Sequence, residues 1–207
     1  MRLNGEPVFY CQLDYADVPF PAPGSGFGNL ANNGCGPLAV SMLIENMLGI
    51  PFPPEESAWF FLACGARVAF GTNLYTASEA AAERFGLSVR NTEDAEEAHA
   101  FLKEGRGMVI ANTFGDRPDD GYIGVFSDSG HYILLTGVAG EGGEKVRVLD
   151  PMYRPGRFDI PGRAGKVTME GNTAVADFSV IASDCVHRPF FLFSRPETKN
   201  IRPPEGQ

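Results

Sequence analysis

The feature that most constrains this chain is a change of hydrophobic period near residue 106. Before that point apolar residues recur at helical spacing between charged faces. After it come short β-branched and aromatic runs separated by glycine. A chain of 207 residues with one such change, no internal repeat and no low-complexity stretch reads as a single α+β domain, 1–207. The expected parts are a helical lobe of about 1–105, a β lobe of about 106–195 and a tail of about 196–207. With 43% hydrophobic and 11% aromatic residues the chain can bury a core, which sets it apart from disordered sequences.

Val40, Leu43, Ile44, Met47 and Leu48 fit the i, i+3, i+4, i+7, i+8 pattern of one helix face, and Leu38, Ala39 and Met42 widen it. The spacing predicts a deeply buried helix that starts near Cys35-Gly36-Pro37 and stops at Gly49, with Pro51 beyond. Further helices are expected at Pro54–Cys64, at Thr76–Arg84 ending on Gly86, and at Thr92–Lys103 with Glu93 and Asp94 in its first turn. Strands of an antiparallel sheet are expected at Met108–Asn112, His131–Val138, Lys145–Leu149, Val167–Met169, Ala174–Val180 and Pro189–Phe193. The glycine-rich connection 139–144 predicts a hairpin that pairs the strand opened by His131 with the strand leading to Asp150. Two long Gly/Pro-rich loops remain, Ala16–Gly34 and Gly115–Gly130, and loops of that length often carry function.

A formal charge of −9 without a dense Lys/Arg block would repel phosphate backbones, so nucleic acid is not an expected partner. The longest apolar stretch, Ala58–Cys64, falls far short of the roughly 20 residues that span a bilayer, so no membrane partner is expected. The start Met1–Pro7 lacks the apolar core of a signal peptide, which predicts a cytoplasmic location. Cys11, Cys35, Cys64 and Cys185 contain no Cys-x-x-Cys pair, against both a zinc ribbon and a thioredoxin-type motif, and a disulfide framework is not expected of a cytosolic chain this large; no cofactor or metal is expected. A phosphate-binding loop with its lysine and a Gly-x-Ser-x-Gly elbow are both absent. Trp59, Phe60 and Phe61 read as core.

A cysteine nucleophile must be a thiolate, and a helix amino terminus stabilises that anion through its unpaired N–H groups and dipole. Cys35 alone among the four cysteines has this setting, between Gly34 and Gly36, which allow backbone or substrate to approach the sulfur. Locally, a small buried residue at the start of a core helix fits equally well. His131 opens an apolar strand after a glycine-bearing loop, where it can line a cleft or simply end a strand. Asp150 closes the neighbouring strand before Pro151, as an orienting partner for His131 or as a turn former. His99, in an acidic helix, and His187 read as surface or structural residues. Cys185 and His187 have the spacing of a metal pair but lack further ligands, so they read as parts of a late strand. Asp116, Asp119, Asp120 and Asp128 read as a solvated acidic loop.

The order of four motifs is recognisable: Gln12 in Tyr10-Cys11-Gln12-Leu13-Asp14, Gly34-Cys35-Gly36-Pro37 opening a helix, Gly130-His131-Tyr132-Ile133, and Leu149-Asp150-Pro151. In this the chain resembles the papain-like cysteine peptidases of the bacteriocin-processing (double-glycine leader) family, in their stand-alone branch. The resemblance implies a papain-like α+β fold, with a central helix starting at the nucleophile and packed on an antiparallel sheet. It further implies a cysteine-dependent hydrolase of peptides or other amides, working through a thioester. Cys35 would be the nucleophile, His131 the base and acid, Asp150 its orienting partner, and Gln12 an oxyanion-hole donor. Alternatives on the same fold are transfer of the acyl group to an amine or thiol, and a non-catalytic binding module. The 23-residue separation of Gln12 and Cys35 is longer than in papain, and the Pro/Gly-rich insert between them is a lid or a passive connector.

Overall fold

Gly34 and Gly49 bracket the helix that organises the fold. Between them α2 (Cys35–Leu48) runs for 14 residues and stops where Gly49, at φ 71°, donates its N–H to the Glu45 carbonyl. That left-handed stop suits glycine, which has no Cβ to clash. Leu38, Ala39, Val40, Met42, Leu43 and Ile44 are fully buried, so α2 is surrounded on all sides. The computed structural model describes residues 5–196; the expected tail, apart from Pro196, lies outside the described residues.

The other helices are set by their caps. A short α1 (Leu30–Asn33) is capped by Asn29, and α3 (Pro54–Ala63) opens on a proline. α4 (Leu74–Phe85) starts two residues before Thr76 because the Asn73 side chain accepts the Tyr75 and Thr76 N–H groups. α5 (Ala95–Lys103) starts three residues after Thr92 because Asp94 takes the capping position. The acids in its first turn are therefore Glu96 and Glu97, not Glu93 and Asp94. In α3 successive side chains point about 100° apart, so Phe61 is buried while Trp59, expected in the core, is 65% exposed.

Among the described residues seven antiparallel strands form one sheet: β1 (Ser88–Thr92), β2 (Gly107–Thr113), β3 (His131–Ala139), β4 (Lys145–Leu149), β5 (Val167–Glu170), β6 (Thr173–Asp177) and β7 (Phe190–Ser194). Their spatial order is β1-β7-β2-β3-β4-β6-β5. β1 carries no sequence signal, being a polar and mostly exposed run, and forms because β7 offers it an edge along Ser194 to Phe190. The strand expected over Ala174–Val180 ends at Asp177, which faces Lys145, the first residue of β4. The next N–H, that of Phe178, donates to the Glu144 carbonyl at 2.8 Å, just before β4, and there the chain turns into α6 (Phe178–Asp184).

Side chains alternate across the sheet. Met108, Ile110, Leu134, Phe191 and Phe193 join the cluster with α2, α3 and α4, whereas Val109, Ala111, Ile133, Leu135, Phe190 and Leu192 join the one with α5 and α6. Burial on both faces explains the unbroken apolar run of β7. β1 and α5 precede residue 106 yet belong to this sheet and its cover, so the change of pattern marks entry into the sheet centre and does not separate two packed units. Among the described residues no helix is long and apolar enough to cross a membrane.

Candidate active site

The start of β3 and the end of β4 meet at one edge of the fold. Leu134 lies opposite Leu149, so the residue after Leu149 falls beside the first residues of β3. This brings Asp150 to His131: the His131 Nε2 and an Asp150 carboxylate oxygen are 2.7 Å apart, and both side chains are buried. The Asp150 carboxylate also accepts the Met152 N–H at 2.8 Å and the Arg157 Nε–H at 2.7 Å. With Nε2 committed to Asp150, Nδ1 is the ring nitrogen left for the Cys35 thiol, whose ionised form His131 favours.

Cys35 reaches this point because α2 begins there, and its flanking glycines are demanded by packing. A Cβ at Gly34 would collide with the Leu30 carbonyl, and one at Gly36 with the Thr72 hydroxyl. The close approach expected at these glycines is therefore made by the protein's own α1 backbone and by the loop before α4. Cys35 stays partly exposed, and the backbone N–H groups of Tyr132 and Gly36 favour its ionised form.

Gln12 arrives by a different route. Val8 pairs through both backbone groups with the Asn46 side chain, and Tyr10 N–H meets the Met42 sulfur at 3.4 Å. Two residues of extended chain cover about 6.7 Å and four residues of helix about 6 Å, so the segment climbs α2 in step with its turns. Its next step delivers Gln12 to the helix start, where Nε2 donates to the Ala31 carbonyl at 2.8 Å and the backbone N–H to the Pro151 carbonyl at 2.7 Å. One Nε2 proton remains, and the Gln12 side-chain oxygen is buried without a partner. The long insert does not displace Gln12: it folds into an arm of its own, anchored by the buried Phe20, whose carbonyl accepts from Arg67 at 3.2 Å.

The electrostatics separate Cys35 from Cys11 and Cys185. Burial pushes the Cys35 thiol up, but the hydrogen bond and charge of His131, with the two backbone N–H groups, outweigh it and leave the thiol below its ordinary value. Burial pushes Cys11 and Cys185 up instead. For His131, burial opposes protonation, yet the Asp150 charge and hydrogen bond, helped by Cys35, raise the imidazolium to about 9. Burial disfavours ionised Asp150, and His131, Arg157 and the Met152 N–H together still hold its carboxyl below the usual range. The arrangement can therefore support a thiolate beside an imidazolium.

The remaining candidates lie elsewhere. His99 is half-buried and not on the surface: it stacks on Phe178 and meets the Gly143 carbonyl at 2.7 Å. Cys185 caps α6 and is not in a strand, and His187 sits at φ 56° in the turn before β7. The acidic loop is tied down more than its composition suggests. Asp116 accepts the Gly124 N–H at 2.8 Å, Asp120 pairs with Arg117 and Asp128 with Arg163. Arg157, within a Pro-Gly turn after Asp150, had no sequence signal at all.

No family model and no curated protein matches the chain. Among solved structures it is similar to the peptidase domain of Streptococcus ComA, a bifunctional ABC transporter involved in quorum sensing. The TM-score is 0.50 at 12% identity, over 77% of this chain and 90% of that one. It also matches UfSP from C. elegans, with a TM-score of 0.45 at 17% identity over 93% of this chain and 36% of that one. The chain has the papain-like cysteine peptidase fold, on the likeness to the ComA peptidase domain.

Proposed function

We propose that this protein is a cysteine hydrolase of peptide or related amide bonds, akin to the bacteriocin-processing peptidases. The observation that carries the reading is the buried His131–Asp150 pair, bonded through Nε2, beside a Cys35 thiol that His131 lowers from its ordinary value. The Cys35 thiolate attacks the carbonyl carbon, and the negative charge moves to the carbonyl oxygen. The second Gln12 Nε2 proton and the Cys35 backbone N–H are the donors available to that oxyanion. The His131 imidazolium gives its Nδ1 proton to the leaving amine as the C–N bond breaks, leaving a thioester. Neutral His131 then takes a proton from water, which attacks the thioester and releases the acid and the Cys35 thiolate. Asp150 accepts from Nε2 throughout, which fixes the tautomer.

Iodoacetamide labelling of each cysteine against pH, read by mass spectrometry, tests this without a known substrate. Cys35 is expected to react well below pH ~8.5, the range of a free thiol, and to lose that reactivity in His131→Ala. A Cys35 that reacts no faster than Cys64 in the folded protein overturns the proposal.

A further inference from the structure

Asp150 is held from two sides, and only one of them belongs to the pair described above. One carboxylate oxygen serves His131 and the Met152 N–H; the other accepts from Arg157 Nε at 2.7 Å. Arg157 is itself gripped at its far end, where an Nη donates to the Phe126 carbonyl at 2.5 Å. That carbonyl belongs to a segment pinned by Asp184, which is fully buried. Asp184 accepts the Val125 N–H at 2.9 Å, the Phe126 N–H at 2.7 Å and the Tyr122 hydroxyl at 2.6 Å. A continuous polar chain thus runs from α6 through the acidic loop to His131.

The charge balance gives this chain a purpose. Asp150 is 1% exposed, and a carboxylate in that position is stable only beside a cation. His131 is a cation for only part of the proposed cycle, because it surrenders its proton to the leaving amine. In that interval nothing on the His131 side offsets Asp150. The titratable and charged groups around Asp150 are Cys35 from α2, His131 from β3, Arg157 from the segment after β4 and Cys11 from the amino-terminal segment. Arg157 alone among them is a cation in both halves of the cycle.

We infer that Arg157 is a positioning residue: a permanent counter-ion that keeps Asp150 ionised and aimed at Nε2 while His131 alternates between imidazolium and imidazole. Its two-ended grip sets the plane of the carboxylate. Its charge offsets the pull of Asp150 on the His131 proton, so that the imidazolium can release it. The inference rests on the proposed role of His131 as acid and base.

The test is an NMR titration of the imidazole carbon-bound protons in the full chain, with the three histidines assigned through His131→Ala. In Arg157→Gln the His131 midpoint is expected to rise by about one pH unit, since the carboxylate then holds the proton without competition. Arg157→Lys, which keeps the charge, is expected to return the midpoint to that of the wild type, although one ammonium cannot reproduce the fork. A folded Arg157→Gln whose His131 midpoint is unchanged or falls, with only a lower melting temperature, overturns the inference. If Arg157→Gln does not fold, a His131 midpoint in Arg157→Lys displaced by a full unit overturns it instead. Iodoacetamide labelling of wild-type Cys35 separates the two claims: an unreactive Cys35 with a midpoint that still follows Arg157 removes the hydrolase and leaves the counter-ion.

Discussion

The two halves of the candidate site are built by different forces. Cys35 is placed by close packing: a helix with a fully buried apolar run, and glycines on either side pressed against the Leu30 carbonyl and the Thr72 side chain. His131 is placed by hydrogen bonds and charge, through Asp150, Arg157, the Phe126 carbonyl and Asp184. Packing responds to volume and is insensitive to pH, whereas a chain of ionised groups responds to charge and titrates. The comparison teaches that the position of the sulfur and its reactivity can be perturbed separately.

Asp150→Asn tests the electrostatic half most severely. Without the carboxylate the His131 midpoint should fall from its raised value toward about 6.5, and amide turnover should drop by about 100- to 10,000-fold. The direction follows from the cause, because Asp150 is what holds the imidazolium protonated against burial. NMR titration and single-turnover kinetics would check both, and an unchanged midpoint would erase the distinction between the halves.

Leu43→Ala strikes the packed half. It should lower stability by about 2–5 kcal/mol, measured by denaturant unfolding, while leaving the pH dependence of Cys35 labelling where it was. Asp184→Ala is the counterpart on the other side. It leaves the Val125 and Phe126 N–H groups buried without acceptors, and should cost about 3 kcal/mol. Unlike Leu43→Ala, it should also slow Cys35 labelling, since the Arg157 anchor loosens with it. Equal effects of these two variants on labelling would break the comparison.

Gly36→Ala should be the mildest, at about 1–3 kcal/mol, because the loop carrying Thr72 must shift to admit a methyl group. The pH at which the thiolate forms should not change.

Stability itself should carry the same signature. The Asp150 carboxyl is held below its ordinary range, so its contribution is complete above about pH 4, the unfolded value, and is lost as pH falls through the folded one. The raised His131 has the opposite sense: its contribution is complete below about pH 6.5 and is lost as pH rises toward the folded value of about 9. Urea midpoints across this range would show both losses, and both should shrink in Asp150→Asn.

The sequence by itself determined the elements whose signals are local. The bounds of α2 follow from Cys35-Gly36-Pro37 and Gly49, the β3–β4 hairpin from its glycine-rich turn, and the order of Gln12, Cys35, His131 and Asp150 from motifs readable in place. What depends on a partner far along the chain was decided only by the tertiary structure. β1 exists because β7 lends it an edge, and α6 begins where β4 runs out. Gln12 reaches the helix start by climbing α2 on Asn46 and Met42, a course that no spacing between Gln12 and Cys35 encodes. Arg157 and Asp184 carry no local signal; burial removes water from them and leaves each the hydrogen bonds that distant residues supply. The physical reason is common to all of these. Period and capping act over a few residues, but strand edges, buried charges and close approaches are settled by which surfaces the folded chain brings together.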